Sequence, residues 1–283
     1  MIRALSVIGH GINILPHFLT HYSEYVDEIQ LVVYESDLHK NLFDDVSKIV
    51  SGFPKAKIVK KIYERVFDWE KVTSLYNFFK NANPNDWWVV ADVDEFHLYP
   101  NDDINSLISV CNEYGWDLVR GGFIDRIGPD GEFSEISSKE NIFRQFPNMG
   151  YFRYPLSGAN PNKICVMKGY VELTNGQHYA KINGHTTWKW QGWNHPLINP
   201  TSFVQVHHFK WDKTSGDRIM AVANLNQEYA FSSEYKKMYK TLVKMRFKIN
   251  INNPDFMFNH NGNYGRYYEY QNWNKLIKKI TSI

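Results

Sequence analysis

The sequence predicts an α/β fold, a mostly parallel sheet flanked by helices, on two observations. Strand and helix signals alternate through the first hundred residues, and the fourth apolar run passes directly into a group of carboxylates. Such alternation requires crossover helices packed on the faces of a parallel sheet. The length of 283 residues suits one large domain, or one domain with an appendage.

The elements follow in order. Ala4 to Gly9 is a short apolar run ending in glycine, a buried strand. Leu15 to Tyr25 has helical spacing around Pro16, and Ile29 to Tyr34 is a β-branched strand. Leu42, Val46, Ile49 and Val50 share one helical face. Ala56 to Ile62 is a third strand, Trp69 to Lys80 a helix and Trp87 to Ala91 a fourth strand. Asn101 is placed to cap a helix over Ile104 to Tyr114, which Gly115 ends. Asp117 to Ile127 is a strand and Pro129-Asp130-Gly131 a turn. From there to Pro200 the chain is rich in Gly, Asn and Pro, with short strands such as Ile164 to Met167, and reads as an irregular half. Val204 to Trp211 is a further strand. Ser232 or Ser233 caps a helix running to about Phe247, with Tyr235, Met238, Leu242 and Met245 as its apolar stripe.

With 43% hydrophobic and 22% charged residues the chain is an ordinary globule, which excludes a disordered protein. Lys and Arg number 32 against 30 Asp and Glu, so no global charge points to a polyanion. The balance is uneven, however: from Lys210 onward there are 13 basic against 6 acidic residues, and before it 19 against 24. That asymmetry marks the C-terminal quarter for an anionic partner, with a solvated helix face as the plainer explanation. Cys111 and Cys165 cannot form a disulfide framework, and the apolar run at the N-terminus is too short for a signal peptide. A reducing, cytoplasmic setting is expected (host cytoplasm for a viral protein), with peripheral membrane association open. His10, Gly11, Ile12 and Asn13 after the first strand match neither a Walker loop nor a dinucleotide fingerprint.

The segment Trp87-Trp88-Val89-Val90-Ala91-Asp92-Val93-Asp94-Glu95-Phe96 carries the chemistry. In open α/β sheets ligands collect at the carboxyl ends of strands. Alternation places Asp92 and Asp94 on the same side, where two carboxylates repel unless a cation neutralises them. Hard oxygens suit Mg²⁺ or Mn²⁺, which can bridge to a diphosphate. The plain alternative is a solvated turn after a strand.

Asp92-Val93-Asp94-Glu95-Phe96 resembles the Asp-x-Asp-Glu-Phe form of the DxD motif in GT-A glycosyltransferases, most closely a family-2-like group. Gly122-Phe123-Ile124-Asp125-Arg126 with Asp130-Gly131, then Asn162-Lys163-Ile164, Gly176-Gln177-His178 and His208-Phe209-Lys210, resemble later segments of those enzymes. The likeness covers roughly residues 1–212. It implies a GT-A domain over 1–212, with a nucleotide-sugar half at 1–100 and an acceptor half at 101–212. Residues 213–283 would be a basic, aromatic helical extension packed on it.

The resemblance implies a metal-dependent transferase moving a sugar from a nucleotide-sugar donor, a UDP-sugar first, to a hydroxyl. The acceptor would be a glycan, a lipid-linked sugar or a hydroxymethylated base in phage-type DNA. Asp92 would touch ribose or metal-bound water, Asp94 would ligate Mn²⁺ or Mg²⁺, and His208 would be the late metal or diphosphate ligand. Lys163 and Lys210 join the donor side, Lys210 standing where the family often has Arg and offering a point charge in place of a fork. His10, Asn13 and Glu35 are donor-side candidates by position alone. An inverting transfer needs a base. The Glu-Asp pair of many such enzymes is missing from Lys139 to His207, leaving Asp125 first and Glu172 second. Trp188, Trp190 and Trp193, with His178, are candidates for an acceptor platform, since aromatic faces stack on sugars or bases. The basic C-terminal quarter is a candidate for contact with anionic lipid or DNA phosphates. The competing readings are a nucleotidyltransferase and a non-catalytic carbohydrate- or nucleic-acid-binding protein on the same fold.

Overall fold

A computed structural model describes residues 1–159, 162–182, 185–186, 204–224, 232–253 and 255–257. The chain begins β1 (Ile2–Ile8), α1 (Leu15–Tyr25), β2 (Glu28–Glu35), α2 (Leu42–Val50), β3 (Ala56–Tyr63), α3 (Trp69–Asn81) and β4 (Trp87–Val90). It continues β5 (Glu95–Leu98), α4 (Ile104–Tyr114), β6 (Leu118–Ile127), α5 (Ile142–Gln145), β7 (Asn148–Gly150) and α6 (Arg153–Ser157). Then come β8 (Asn162–Lys168), β9 (Glu172–Leu173), β10 (Ala180–Ile182), β11 (His185–Thr186), β12 (Val204–His208), α7 (Ser215–Asn224) and α8 (Ser232–Lys244). The fold class read from the sequence holds: a mixed α/β chain with a central sheet flanked by helices. The main sheet runs β3-β2-β1-β4-β8-β6-β12-β5 with β7 beside β6, and β11-β10-β9 form a small second sheet. Strands β3, β2, β1 and β4 are parallel, while β8 pairs antiparallel with β4 and β6.

The described chain divides into two compact units. One is Met1–Gly122 with Asn162–Val206, the other Phe123–Pro161 with His207–Ile283. Strands β6 and β12 each pass from the first unit to the second.

In the first unit, β1, β2 and β4 are covered on both faces and read as continuous apolar runs, as parallel strands do. Leu5, Val7, Val32, Tyr34, Trp88 and Val90 meet Val72 and Tyr76 of α3 in one core. Helix α3 starts where the Asp68 carboxylate accepts from the Glu70 amide at 2.8 Å, satisfying an amide that the helix leaves open. Helix α4 is capped by Asp103, which accepts from the Asn105 amide at 2.9 Å. The expected cap, Asn101, instead takes φ 57° in the turn before it. At the amino end of the sheet Arg3 reaches Asp86 at 2.8 Å and Glu28 at 2.6 Å, leaving the carboxyl end for other chemistry. Strand β3 lies at the edge of the sheet and exposes Lys57, Lys60 and Lys61.

The second unit has its own core, in which Phe152, Leu156, Trp211, Ile219, Met238, Leu242 and Ile249 are buried together. Tyr235, Met238 and Leu242 form the buried stripe of α8, as the spacing predicts, while Lys236, Lys237, Lys240 and Lys244 are exposed. Two helix and strand ends fall short of expectation. Helix α8 stops at Lys244 because Arg246 and Phe247 take left-handed φ of 54° and 51°, and β12 stops at His208 rather than Trp211. Helix α7 was not read from the sequence. Gly131 closes the Pro129-Asp130-Gly131 turn at φ +78°, with the Ile249 carbonyl only 1.8 Å from where a Cβ would sit, so no other residue fits there.

Two histidines, His21 half-buried and His97 buried, are expected to make the first unit acid-sensitive. His21 Nε2 donates to the His97 carbonyl at 2.9 Å, and burial lowers the His21 ring to about 4. Burial also lowers His97, whose ring nitrogens have no hydrogen-bond partner among the described residues. A histidine depressed in the fold binds its proton more readily when unfolded, so stability is lost as pH falls below the unfolded value. Urea denaturation should lose about 3 kcal/mol from His21 alone between neutral pH and its folded value. In His21→Gln this part of the pH slope should vanish, and an unchanged slope would refute the assignment.

Candidate active site

The parallel strands β1, β2 and β4 bring their carboxyl ends to one edge of the sheet, and the amino end of antiparallel β8 reaches the same edge. His10 and Asn13 follow β1, Glu35 ends β2, Asp92 and Asp94 follow β4, and Lys163 lies near the start of β8. Sequence order thus converges several of the expected side chains on one edge of the first unit.

The carboxylate motif is a turn and not a continued strand. Strand β4 ends at Val90, and the Glu95 amide donates to the Asp92 carbonyl at 2.9 Å across Val93 and Asp94. The alternation argument that set Asp92 and Asp94 on one side therefore does not apply. A turn joins β4 to β5, and its first and last residues share a cation. Lys163 Nζ lies 3.1 Å from Asp92 Oδ2 and 2.8 Å from Glu95 Oε1. The Lys163 side chain is 3% exposed and that of Glu95 2%, against 24% for Asp92, so the pair is buried and Asp92 is the side that meets solvent. Glu95 Oε2 also accepts from the Asp92 amide at 3.2 Å.

Two buried tyrosines hold this turn from below. Tyr76 of α3 donates to Asp92 Oδ1 at 3.0 Å and accepts from the Val7 amide at 3.1 Å. Tyr22 of α1 donates to the Glu95 carbonyl at 2.9 Å and accepts from the His97 amide at 3.1 Å. Sequence reasoning missed both, because a buried tyrosine on an apolar helix face looks like core; its hydroxyl partner lies across the sheet and leaves no local signal.

Within the turn Asp92, Asp94 and Glu95 stand close to one another, and among the described residues the Lys163 ammonium meets Asp92 and Glu95. Burial pushes the Glu95 carboxyl up; Lys163 pulls it back, and Asp92 and Asp94 push it further up. Burial disfavours the Lys163 ammonium, but Asp92 and Glu95 together hold it above its ordinary range. Asp92 and Asp94 offer hard oxygens of the kind Mg²⁺ or Mn²⁺ takes, so the donor set fits such an ion. Among the described residues no three His, Cys, Asp or Glu side chains are arranged to hold a metal by themselves. An ion here would complete its shell with water and phosphate oxygens, as Mg²⁺ usually does.

The remaining donor-side residues are more varied. Glu35 is committed locally: it accepts from the Phe43 amide at 2.9 Å, anchoring the start of α2, and meets Lys61 at 3.1 Å. His10 and Asn13 are partly exposed in the loop after β1, with the His10 ring 6.1 Å from that of His39. His178 is partly exposed beside Gln177, which is fully buried at φ 56° with neither side-chain amide atom hydrogen-bonded among the described residues. Glu172 is exposed in β9 and pairs with Lys181 at 3.3 Å. Trp188, Trp190 and Trp193 lie outside the described residues.

In the second unit Asp125 is fully buried and fully engaged. It accepts from His208 Nδ1 at 2.8 Å, the Phe152 amide at 2.7 Å and the Arg153 amide at 3.3 Å. Burial pushes its carboxyl up, but the bond and charge of His208 hold it below the usual range. A buried carboxylate so stabilised in its ionised form is a weak proton acceptor and an effective anchor for the His208 ring. His207 instead accepts at Nδ1 from Arg126 Nε at 2.9 Å. Lys210 is buried and donates to the Tyr235 hydroxyl at 3.2 Å. Burial pushes that hydroxyl up, yet Lys210, Arg153 and Arg218 overcome this and hold it below its ordinary value.

No family model matches the sequence, and no curated protein matches it. Among solved structures, a mannosyltransferase from Pyrobaculum calidifontis in complex with GDP-Man and Mn²⁺ aligns at 14% identity and TM-score 0.32. The alignment covers 42% of this chain and 34% of that one, so this chain spans about a third of its length. A putative glucose-1-phosphate thymidylyltransferase from Bacillus anthracis in complex with a sucrose aligns at 12% identity and TM-score 0.31, over 87% and 84% of the two chains. At such TM-scores neither likeness carries an argument about this chain.

Proposed function

We propose that this protein is a metal-dependent glycosyltransferase of GT-A type that moves a sugar from a nucleotide-sugar donor to a hydroxyl acceptor with inversion. The observation that carries the reading is the turn after β4, where Asp92 and Glu95 share one buried ammonium at the carboxyl edge of parallel strands, with Asp94 between them in the chain. Asp94 and Asp92 would hold Mn²⁺ or Mg²⁺, which when bound offsets the negative charge that builds on a departing diphosphate. The chain's own part is orientation. Tyr76 and Lys163 fix the Asp92 carboxylate from two directions, so that side chain needs no reordering when the donor arrives. His10 and Asn13 are proposed to flank the donor from the loop after β1. Asp125 is proposed as the residue that orients His208, a role that a ligand histidine commonly requires of a neighbouring carboxylate. Lys210 remains a candidate for the donor's phosphates, the indole cluster Trp188, Trp190 and Trp193 for the acceptor, and the exposed lysines of α8 for an anionic surface.

Thermal unfolding with UDP, GDP, CMP and their sugars, each with and without Mn²⁺, tests the reading. Binding adds about 2.7 kcal/mol of stability at a hundredfold excess over Kd. One nucleotide should stabilise the protein only with the metal, and Asp94→Ala should remove that shift while keeping the ligand-free Tm. No shift with any nucleotide would sink the transferase reading.

Asp125→Asn separates an anchor from a base. As an anchor, Asp125 satisfies three buried donors, and its loss should cost about 2–4 kcal/mol in denaturant unfolding. A variant with unchanged stability and abolished turnover would return Asp125 to the role of proton acceptor.

A further inference from the structure

The second unit contains a cleft of 480 Å³ remote in sequence from the carboxylate turn. That volume lies within the roughly 300–1,000 Å³ typical of small-molecule sites. Its apolar wall is aromatic: Phe133, Tyr239 and Phe247, all partly exposed, with Met220 beside them at 37% exposure. The Phe133 and Phe247 rings meet edge to face at 6.0 Å, and Tyr239 lies 6.1 Å from Phe247.

The local backbone explains how the wall is built. Helix α8 ends in two consecutive left-handed residues, Arg246 and Phe247, and the Phe247 amide donates to the Leu242 carbonyl at 2.9 Å. This reversal sets the Phe247 ring against the first turn of α7. There a Cβ on Gly216 would stand 3.1 Å from the ring edge, so glycine permits the close approach. The same reversal leaves Arg246 exposed at the rim, where its guanidinium has no hydrogen-bond or ion-pair partner among the described residues.

The polar groups of the cleft are mixed. Glu132 and Asp217 supply acceptors; Lys213, Arg246 and Lys248 supply donors. Lys248 already meets Glu132 at 3.2 Å. Lys213 likewise meets Glu135 at 2.5 Å. A simple anion gains from the cations but is repelled by the carboxylates, and an apolar ligand makes no use of Asp217 and Arg246. A sugar ring satisfies each part at once. Its C–H face lies on an aromatic ring, and its hydroxyls both donate to carboxylates and accept from guanidinium or ammonium.

We propose that this cleft is a saccharide-binding site, with a pyranose stacked on the Phe133–Tyr239–Phe247 wall and its hydroxyls shared between Glu132 or Asp217 and Arg246. The site stands whether or not the first unit transfers sugar. In a transferase it would hold a distal part of a glycan acceptor.

Saturation-transfer NMR on the full chain tests this with methyl mannoside, N-acetylglucosamine and glucuronate as probes and benzoate as an aromatic anion without hydroxyls. At least one sugar should receive transfer at its ring protons. Its affinity should fall about tenfold in both Tyr239→Ala and Arg246→Gly, the loss of one good contact. Arg246→Gly suits the left-handed backbone, so its Tm should hold and lost binding will not reflect unfolding. Asp94→Ala should bind the sugar as the unaltered protein does, which separates this site from the donor site. The proposal is overturned if no sugar receives transfer, if benzoate alone does, if both cleft variants bind undiminished, or if Asp94→Ala abolishes the signal.

Discussion

The first unit is organised around one buried ammonium. Lys163 leaves β8 and ends between Asp92 and Glu95, the two ends of the turn that joins β4 to β5. Burying such a group carries a desolvation cost of several kcal/mol, and a buried pair need not add net stability. Its consequence is positional. With Lys163 in place Glu95 can be buried at all, the turn is fixed against β8, and Asp92 is left as the partner with access to solvent. Truncating Lys163 would leave Glu95 buried without a counter-charge, a loss of about 3–5 kcal/mol.

The helices reach the same turn through hydroxyls rather than charges. Tyr22 and Tyr76 come from α1 and α3, each donating to one end of the turn and accepting a backbone amide. Each hydroxyl thus satisfies an amide and an oxygen that burial would otherwise leave open. The second unit uses a related device. Asp125 gathers two backbone amides and the His208 ring, which ties α6 to the end of β12. In both units a polar group inside the core fixes a segment that apolar packing alone would leave free to slide.

Much of this was legible in the sequence, for physical reasons. Parallel strands buried on both faces must be continuous apolar runs, so β1, β2 and β4 stand out, and helical spacing marks α1, α3 and α8. The carboxylates were visible because three acidic residues beside a buried strand are conspicuous. Their arrangement was not. Alternation presumes an extended chain, and the chain turns at Asp92. The bonds made by Tyr76, Lys163 and Asp125 join residues 16 to 83 positions apart, which no local pattern encodes. The end of α8 was misread for a different reason: nothing in the residue types of Arg246 and Phe247 announces a left-handed pair.

The lysines along β3 have a consequence for assembly. A parallel sheet ending in an open strand offers unpaired amides and carbonyls to any passing chain, the geometry from which fibrils grow. Here that rim exposes Lys57, Lys60 and Lys61, and Lys57 and Lys61 are braced by Glu28 and Glu35 of the neighbouring strand. A second copy approaching edge to edge would bring like charge against like charge before a single ladder bond could form. Charge on this rim thus opposes edge-to-edge pairing where an uncharged strand would have been adhesive.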